Sequence, residues 1–287
     1  MSLQRIQHYL SLIKFSHTIF ALPFALIGLF LAVWYEGKPF EWRILIAVVL
    51  CMVFARSAAM AFNRYIDEKF DKLNPRTAVR EIPAGIISKP KAALFVAINS
   101  LLFMAVTWFI NPLCFYLSPV ALFVILFYSY TKRFTPLCHL VLGLGLALAP
   151  IGAYLAVTAY FHWLPLLFSG VVFTWVSGFD ILYALQDEEF DRAHQLKSIP
   201  VLLGRRGALL ASIVLHIMTG LLIIGIGYLG ALGLFYWIGA LVFNALLVYQ
   251  HTLVKPNDIS KVNLAFATTN GIASVIYAVF VLFSFRF

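Results

Sequence analysis

Charge is what this 287-residue sequence has least of. Asp, Glu, Lys and Arg make up 11% of it, while 62% is hydrophobic. Soluble domains carry about 25% charged and about 45–50% apolar residues, so that class is excluded. Cysteine is scarce as well. Cys51, Cys114 and Cys138 all lie in or beside apolar stretches. They show no metal-ligand spacing and no disulfide framework, and are expected to pack as small hydrophobes. No linker rich in Pro, Gly or Ser and no low-complexity run divides the chain. A signal peptide is not expected, since charge continues to Lys14 and no small-residue cleavage site precedes a soluble domain.

What is there is a series of apolar stretches of roughly 20 residues, long enough to cross a hydrocarbon core of about 30 Å. Nine are read, near 17–35, 42–63, 91–110, 112–130, 137–157, 161–184, 207–227, 232–250 and 264–285. In lipid they must be helices, because the backbone has to satisfy its own hydrogen bonds. The expected fold is therefore all-α, a multi-pass membrane bundle of nine transmembrane helices forming one domain over 1–287. Net charge is +9, yet its distribution argues against nucleic acid. With the N-terminus inside, 17 of the 21 Lys and Arg fall on the cytoplasmic side and three (Lys38, Arg43, Arg286) outside, a positive-inside pattern. Anionic headgroups and a phosphorylated substrate suffice to explain the basic excess.

The few carboxylates are concentrated. Of 12 Asp and Glu, eight fall in or beside two clusters, NRYIDEKFD and YALQDEEFD. Asn63, Asp67 and Asp71 are four residues apart, as are Tyr183, Asp187 and Asp191. On a helix each step of four advances about 40°, so each trio is expected to share one face over two turns. Opposed across a bundle, such faces offer four carboxylates, and hard oxygen ligands suit Mg²⁺ with substrate phosphate completing its shell. The alternative is solvated helix ends with i,i+4 salt bridges. Carboxylate repulsion and the recurrence of one spacing at two topologically matched places weigh against it. The recurrence also suggests parallel pseudo-repeats of about 1–135 and 136–287. Cations flank the clusters: Arg64, Lys72, Arg76 and Arg80 after the first, Arg192 and Lys197 with the second, Lys132 and Arg133 in YSYTKRFT. A diphosphate held by Mg²⁺ has spare oxygens that Arg forks and Lys ammoniums match, although a positive-inside role alone explains any single Lys.

The stretch NRYIDEKFDKLNPRTAVREIPAG resembles the first aspartate motif of the UbiA superfamily of intramembrane prenyltransferases. DILYALQDEEFDRAHQLKS resembles its second, and YSYTKRFT its Tyr-x-x-x-Lys-Arg-x-Thr element. The order of the motifs and their loops agrees over nearly the whole chain. The resemblance implies a helical bundle around a central cavity that binds a polyprenyl diphosphate through Mg²⁺, two ions bridging the diphosphate. It implies transfer of the prenyl group to an acceptor, often an aromatic ring. It puts Asn63, Asp67, Asp71, Asp187 and Asp191 on the metal and diphosphate. Lys132 and Arg133 become a basic element near diphosphate or acceptor, and Asp180 an acidic position near the second motif. Arg64 departs from the pattern, because many relatives place an aspartate directly after the Asn.

The opening HTIFALPFA and NPRTAVREIPAG resemble the branch acting on 4-hydroxybenzoate, including its menaquinone-pathway members acting on a naphthoate. The expected function is thus transfer of a long isoprenoid chain to an aromatic hydroxy acid in a membrane of bacterial inner-membrane type. Catalytic roles are expected for Asp180, Arg133 and Lys132. Substrate binding is expected from Asn63, Arg56, Arg64, Arg76, Arg80, Tyr183 and Lys197. Asp180 is a candidate for orienting or deprotonating the acceptor hydroxyl, since a carboxylate inside a span marks function by default. Arg56, inside the second span, is either a counter-ion for an acceptor carboxylate or a salt-bridge partner of Asp180 or another internal acid. His17 is either a structural hydrogen-bonding residue or a substrate contact. From another class, a secondary transporter of an anionic or phosphorylated substrate also predicts intramembrane charge and repeats, but the aspartates lie near the cytoplasmic ends of the spans rather than midway. A structural membrane scaffold leaves the paired clusters unexplained.

Overall fold

The computed structural model describes residues 3–12 and 21–287, without the side chains of residues 3–7, 267 and 268. His17 therefore lies outside the described residues. A short α1 (Leu3–Leu12) precedes α2 (Leu22–Phe30), which continues through a wider π turn, Leu31–Tyr35. There follow α3 (Trp42–Leu73), α4 (Lys89–Ile110), α5 (Pro112–Thr131), α6 (Cys138–Thr158) and α7 (Trp163–Ala184). A 3₁₀ turn, Leu185–Asp187, leads into the short α8 (Glu188–Ala193). The chain closes with α9 (Ile199–Leu229), α10 (Leu234–Leu253), a second π turn (Leu264–Thr269) and α11 (Asn270–Arg286).

Among the described residues, eight helices are long and apolar enough to span a membrane. The expected first span appears as the shorter Leu22–Tyr35, its remainder lying outside the described residues. Boundaries shift where helices outrun their apolar stretch. The second span was expected to end at 63, yet α3 runs to Leu73 and lifts Asp67 and Asp71 out on a continuous helix. The expected loop 64–90 thus shrinks to the segment between Leu73 and Lys89. The expected loop 185–206 is mostly helical, containing α8 and the start of α9. Gly204, at φ 68°, breaks α9 near that start, a backbone conformation that side chains disfavour.

The order of burial places α7 at the centre. In its span 67% of the apolar window is buried, against 17% in α4 and in α5. Lipid tails are as apolar as Leu, so helices associate in membranes through close packing and interhelical hydrogen bonds. Both are visible around α7. Trp175 Nε1 donates to Asn270 Oδ1 of α11 (2.9 Å). Ser212 Oγ of α9 donates to the Gly178 carbonyl (2.7 Å), and the hydroxyls of Thr174 and Thr219 share a hydrogen bond of 2.7 Å. Small residues let backbones approach. A Cβ on Gly28 of α2 would collide with the Pro150 carbonyl of α6, and one on Gly143 of α6 would meet Ser177 Oγ and lie 2.7 Å from the Phe173 carbonyl of α7.

These contacts set up a paired test. Gly28→Ala forces α2 off α6 and is expected to destabilise by about 1–3 kcal/mol, as overpacking does. Gly152→Ala, with nothing within 4 Å of its Cβ, is expected to leave the melting temperature in detergent unchanged. Equal melting curves for the two variants would show that the α2–α6 contact is not close-packed.

Candidate active site

The uninterrupted α3 keeps Asn63, Asp67 and Asp71 on one face, as the spacing predicts. Asp67 and Asp71 are buried, and Asn63 Nδ2 donates to Asp67 Oδ2 (3.1 Å). Beyond Leu73 the chain turns back over the helix end. The Thr77 hydroxyl donates to the Asp71 carbonyl (3.1 Å), and the Arg76 backbone N–H donates to Asn74 Oδ1 (3.0 Å). This Asx-type turn, a local side-chain-to-backbone bond that Asn favours, aims the next two arginines at the carboxylates. Arg80 Nη1 donates to both oxygens of Asp71 (2.7 and 2.9 Å). Arg76 reaches the second cluster. Its Nε donates to Asp187 Oδ1 (3.1 Å), its Nη2 pairs with Asp187 Oδ2, and its Nη1 donates to the Tyr183 hydroxyl (3.2 Å). Asn74 Nδ2 adds a further bond to Asp187 Oδ1 (3.2 Å).

The second cluster corrects the expected geometry. Tyr183 closes α7, the backbone tightens to 3₁₀, and Asp187 (φ −105°, ψ 1°) stands between two helices. Tyr183, Asp187 and Asp191 therefore do not share one helical face. The acidic run itself favours the restart, since Glu188, Glu189 and Asp191 fill the first turn of α8, where the helix dipole stabilises negative charge. The salt-bridge alternative holds for two glutamates only. Glu68 pairs with Lys72 and Glu188 with Arg192, each at 2.8 Å and i,i+4.

The connection between α5 and α6 joins the clusters. Arg133 Nη2 donates to Asp67 Oδ1 (2.9 Å) and to the Ile66 carbonyl (3.0 Å), while its Nη1 donates to the Ser129 carbonyl (2.8 Å). The neighbouring Lys132 places Nζ 3.6 Å from Asp191 Oδ1. Adjacent residues thus each hold an aspartate from a different cluster, which brings the clusters face to face. Burial would lower the affinity of the Lys132 ammonium for its proton, but Asp191, Asp67 and Asp187 outweigh that and raise its pKa.

Other expected site residues take different places. Lys197 does not reach the aspartates; its Nζ donates to the Phe134 carbonyl (3.2 Å) and its N–H to the Lys132 carbonyl (2.7 Å), which ties the start of α9 to the Lys132–Arg133 segment. Arg64 is buried and makes no hydrogen bond among the described residues. The proposed Arg56–Asp180 salt bridge is absent. Asp180 Oδ2 instead lies 2.7 Å from His139 Nδ1, and Arg56 Nε is buried with no hydrogen-bond partner among the described residues.

Three contributors escaped sequence reading. His139 looks like an ordinary polar residue at the start of a span. Asn74 sits inside the quoted N-P-R-T motif, which was the available signal. Tyr128 is the first residue of YSYTKRFT and sits half-buried near the end of α5. Arg56 and Tyr128 line an apolar cavity of about 360 Å³ enclosed by α3 to α6. Ala59 and Tyr128, one helical turn below Asn63 and Lys132, mark its charged end; Cys114, Ile110 and Phe161 mark the other. From Tyr128 to Cys114 the cavity follows α5 for on the order of 20 Å.

Among the described residues, no three His, Cys, Asp or Glu side chains converge as a metal-binding group. Like charges hold the carboxylates apart, and each pairs with Arg or Lys. The donor set nonetheless suits Mg²⁺, consisting of hard carboxylate oxygens at the mouth of a cavity. One of them, the buried Asp191 Oδ1, has no hydrogen-bond partner.

The comparisons with known proteins agree with this architecture. The model of the UbiA prenyltransferase family matches residues 21–276. The chain is 31% identical over 253 residues to the 4-hydroxybenzoate octaprenyltransferase of Aliivibrio fischeri (strain MJ11), covering 87% of this chain and 86% of that one. It is similar to the apo structure of a UbiA homologue from Aeropyrum pernix K1, with a TM-score of 0.80, 31% identity, and 92% and 95% of the two chains covered. In fold it is also similar to a UbiA homologue from Archaeoglobus fulgidus bound to DMAPP and Mg²⁺, with a TM-score of 0.77, 20% identity, and 97% and 98% covered. A family match over most of the chain, together with relatives of this identity across nearly its whole length, shows that the protein belongs to the UbiA prenyltransferase family.

Proposed function

We propose that this prenyltransferase moves a polyprenyl group from a polyprenyl diphosphate to an aromatic hydroxy acid, 4-hydroxybenzoate or a naphthoate analogue, in Mg²⁺-dependent quinone synthesis. The reaction would take place at the cytoplasmic face of a bacterial inner membrane. The observation that carries this reading is the pairing of consecutive Lys132 and Arg133 with Asp191 and Asp67 above an apolar cavity of about 360 Å³. The arrangement supplies a charged mouth for a diphosphate and a hydrocarbon-lined space for its chain. The relative from Aliivibrio fischeri carries the corresponding name, and the neighbour from Archaeoglobus fulgidus was solved with DMAPP and Mg²⁺.

Asp67, Asp71, Asp187 and Asp191, with Asn63, would hold the magnesium. When bound, it adds positive charge where the leaving diphosphate gathers negative charge. Arg76, Arg80, Lys132 and Arg133 can each turn from an aspartate to a diphosphate oxygen, forming the charge-assisted bonds that phosphate favours. As the allylic C–O bond breaks, its electron pair leaves with the diphosphate, and these fixed cations stabilise it electrostatically. The ring carbon ortho to the acceptor's hydroxyl attacks the allylic carbon, and the proton on that ring carbon passes to solvent at the cytoplasmic face as the ring regains aromaticity. Asp180 accepts a hydrogen bond or a proton from that hydroxyl. Arg56, half-buried beside the cavity with its Nε covered and unpartnered among the described residues, takes the acceptor carboxylate.

Purified protein given Mg²⁺, labelled polyprenyl diphosphate and 4-hydroxybenzoate is expected to release diphosphate and form a prenylated ring product. Binding or flux without covalent change would favour transport instead. Asp67→Ala and Asp191→Ala are each expected to lower turnover by about 10²–10³-fold while the protein still inserts and folds. Near-normal rates in either variant would remove the magnesium assignment.

Arg56→Ala separates the substrates. It is expected to raise KM for a carboxylated acceptor by about 10–100-fold, the worth of a hydrogen bond to a charged group, with donor KM unchanged. A parallel rise in both constants would count against the counter-ion role.

A further inference from the structure

We infer that His139 is a positioning residue for Asp180, holding the carboxylate as a fixed acceptor. This rests on the proposed role of Asp180 and adds a residue to it. His139 is 3% exposed, in the first turn of α6. Its two ring nitrogens face different partners. Nε2 lies 3.4 Å from the backbone N–H of Ile199, and Nδ1 lies 2.7 Å from Asp180 Oδ2.

These partners assign the proton. Ile199 opens α9, and a first-turn N–H has no acceptor within its own helix. It can only donate, so Nε2 must accept. In a neutral imidazole the single ring proton then sits on Nδ1, directed at Asp180 Oδ2. One nitrogen's hydrogen bond thereby sets the state of the other. Asp180 receives a donor on one oxygen, while Oδ1 makes no hydrogen bond among the described residues. Its side chain is 24% exposed, so this second oxygen is open to a further donor.

A structural hydrogen bond alone does not require this polarity. With the donor on His139, Asp180 remains an acceptor, the state needed to receive a proton from an acceptor hydroxyl. The same contact ties Asp180 to the start of α9. Lys197, two residues before Ile199, is bonded through its N–H to the Lys132 carbonyl (2.7 Å). The segment that orients the diphosphate cations therefore also fixes the histidine.

The test compares His139→Asn with His139→Gln and His139→Leu. Asn keeps an N–H near the position of Nδ1, Gln carries its amide toward that of Nε2, and Leu removes both. Leu and Gln are expected to lower kcat with 4-hydroxybenzoate by about 10–100-fold and to leave donor KM unchanged, while Asn stays close to the parent. On an Asp180→Asn background, His139→Leu should cost nothing more. Should Asn be as impaired as Leu and Gln, or donor KM rise in step with the loss of kcat, the inference is overturned. If Leu does not fold, the Asn–Gln pair decides alone. If Asp180→Asn itself turns over normally, the role of Asp180 falls and this inference with it. A dead Asp180→Asn beside active Leu and Gln variants sinks the His139 role alone.

Discussion

Aspartates crowded at the edge of a low-dielectric layer repel one another and are costly to bury unless cations stand beside them. That constraint organises the cytoplasmic end of this protein. Arg80 serves Asp71, Arg76 serves Asp187, Arg133 serves Asp67 and Lys132 serves Asp191. The cations come from two connections, one after α3 and one between α5 and α6, and the acids from α3 and from the α7–α8 junction. Every pair except Arg80–Asp71 therefore joins separate parts of the chain. The interactions that balance charge thereby also tie the two acidic clusters to each other.

The legible part of this arrangement was the part with a simple period. Apolar length located the membrane helices because lipid leaves the backbone little choice. The first cluster was readable because α3 remains helical through Leu73, so a four-residue spacing translated directly into one face. The second carries the same spacing but not the same geometry. Its acidic run starts a new helix at Glu188, and a local restart of the backbone leaves no mark on spacing. Pairing was harder still. Whether Arg56 or another group meets Asp180 depends on how α6 lies against α7, which no local pattern encodes. The answer, His139, is distant in sequence and ordinary in type.

The exposure of the cations separates two kinds of ion pair. Glu68 and Glu188 carry i,i+4 partners whose side chains are more than half exposed, 54% for Lys72 and 58% for Arg192, and such surface pairs contribute little. Three of the aspartates face inward, with side-chain exposures of 9% for Asp67, 8% for Asp71 and 6% for Asp191, while Asp187 stands at 20%. A cation that is itself largely covered, as Arg76, Arg80, Lys132 and Arg133 are beside their aspartates, is constrained in place, whereas one more than half exposed is not. On the proposed function, the pairs with covered cations are thus the ones that would exchange a carboxylate for a phosphate without reorganising the fold.

Arg56 carries this reasoning to the acceptor. Among the described residues, the four cations at the mouth each have an aspartate, but Arg56 Nε lies buried without a hydrogen bond in a cavity lined mainly by aliphatic and aromatic side chains. A buried donor left unpaired costs free energy, and a buried charge costs more. On the proposed function, an acceptor with a carboxylate removes that cost on binding, while a neutral ring of the same shape leaves it standing. Selection for an acidic acceptor then needs no elaborate pocket. It follows from one arginine held away from water, with the nearby aspartate already committed to His139.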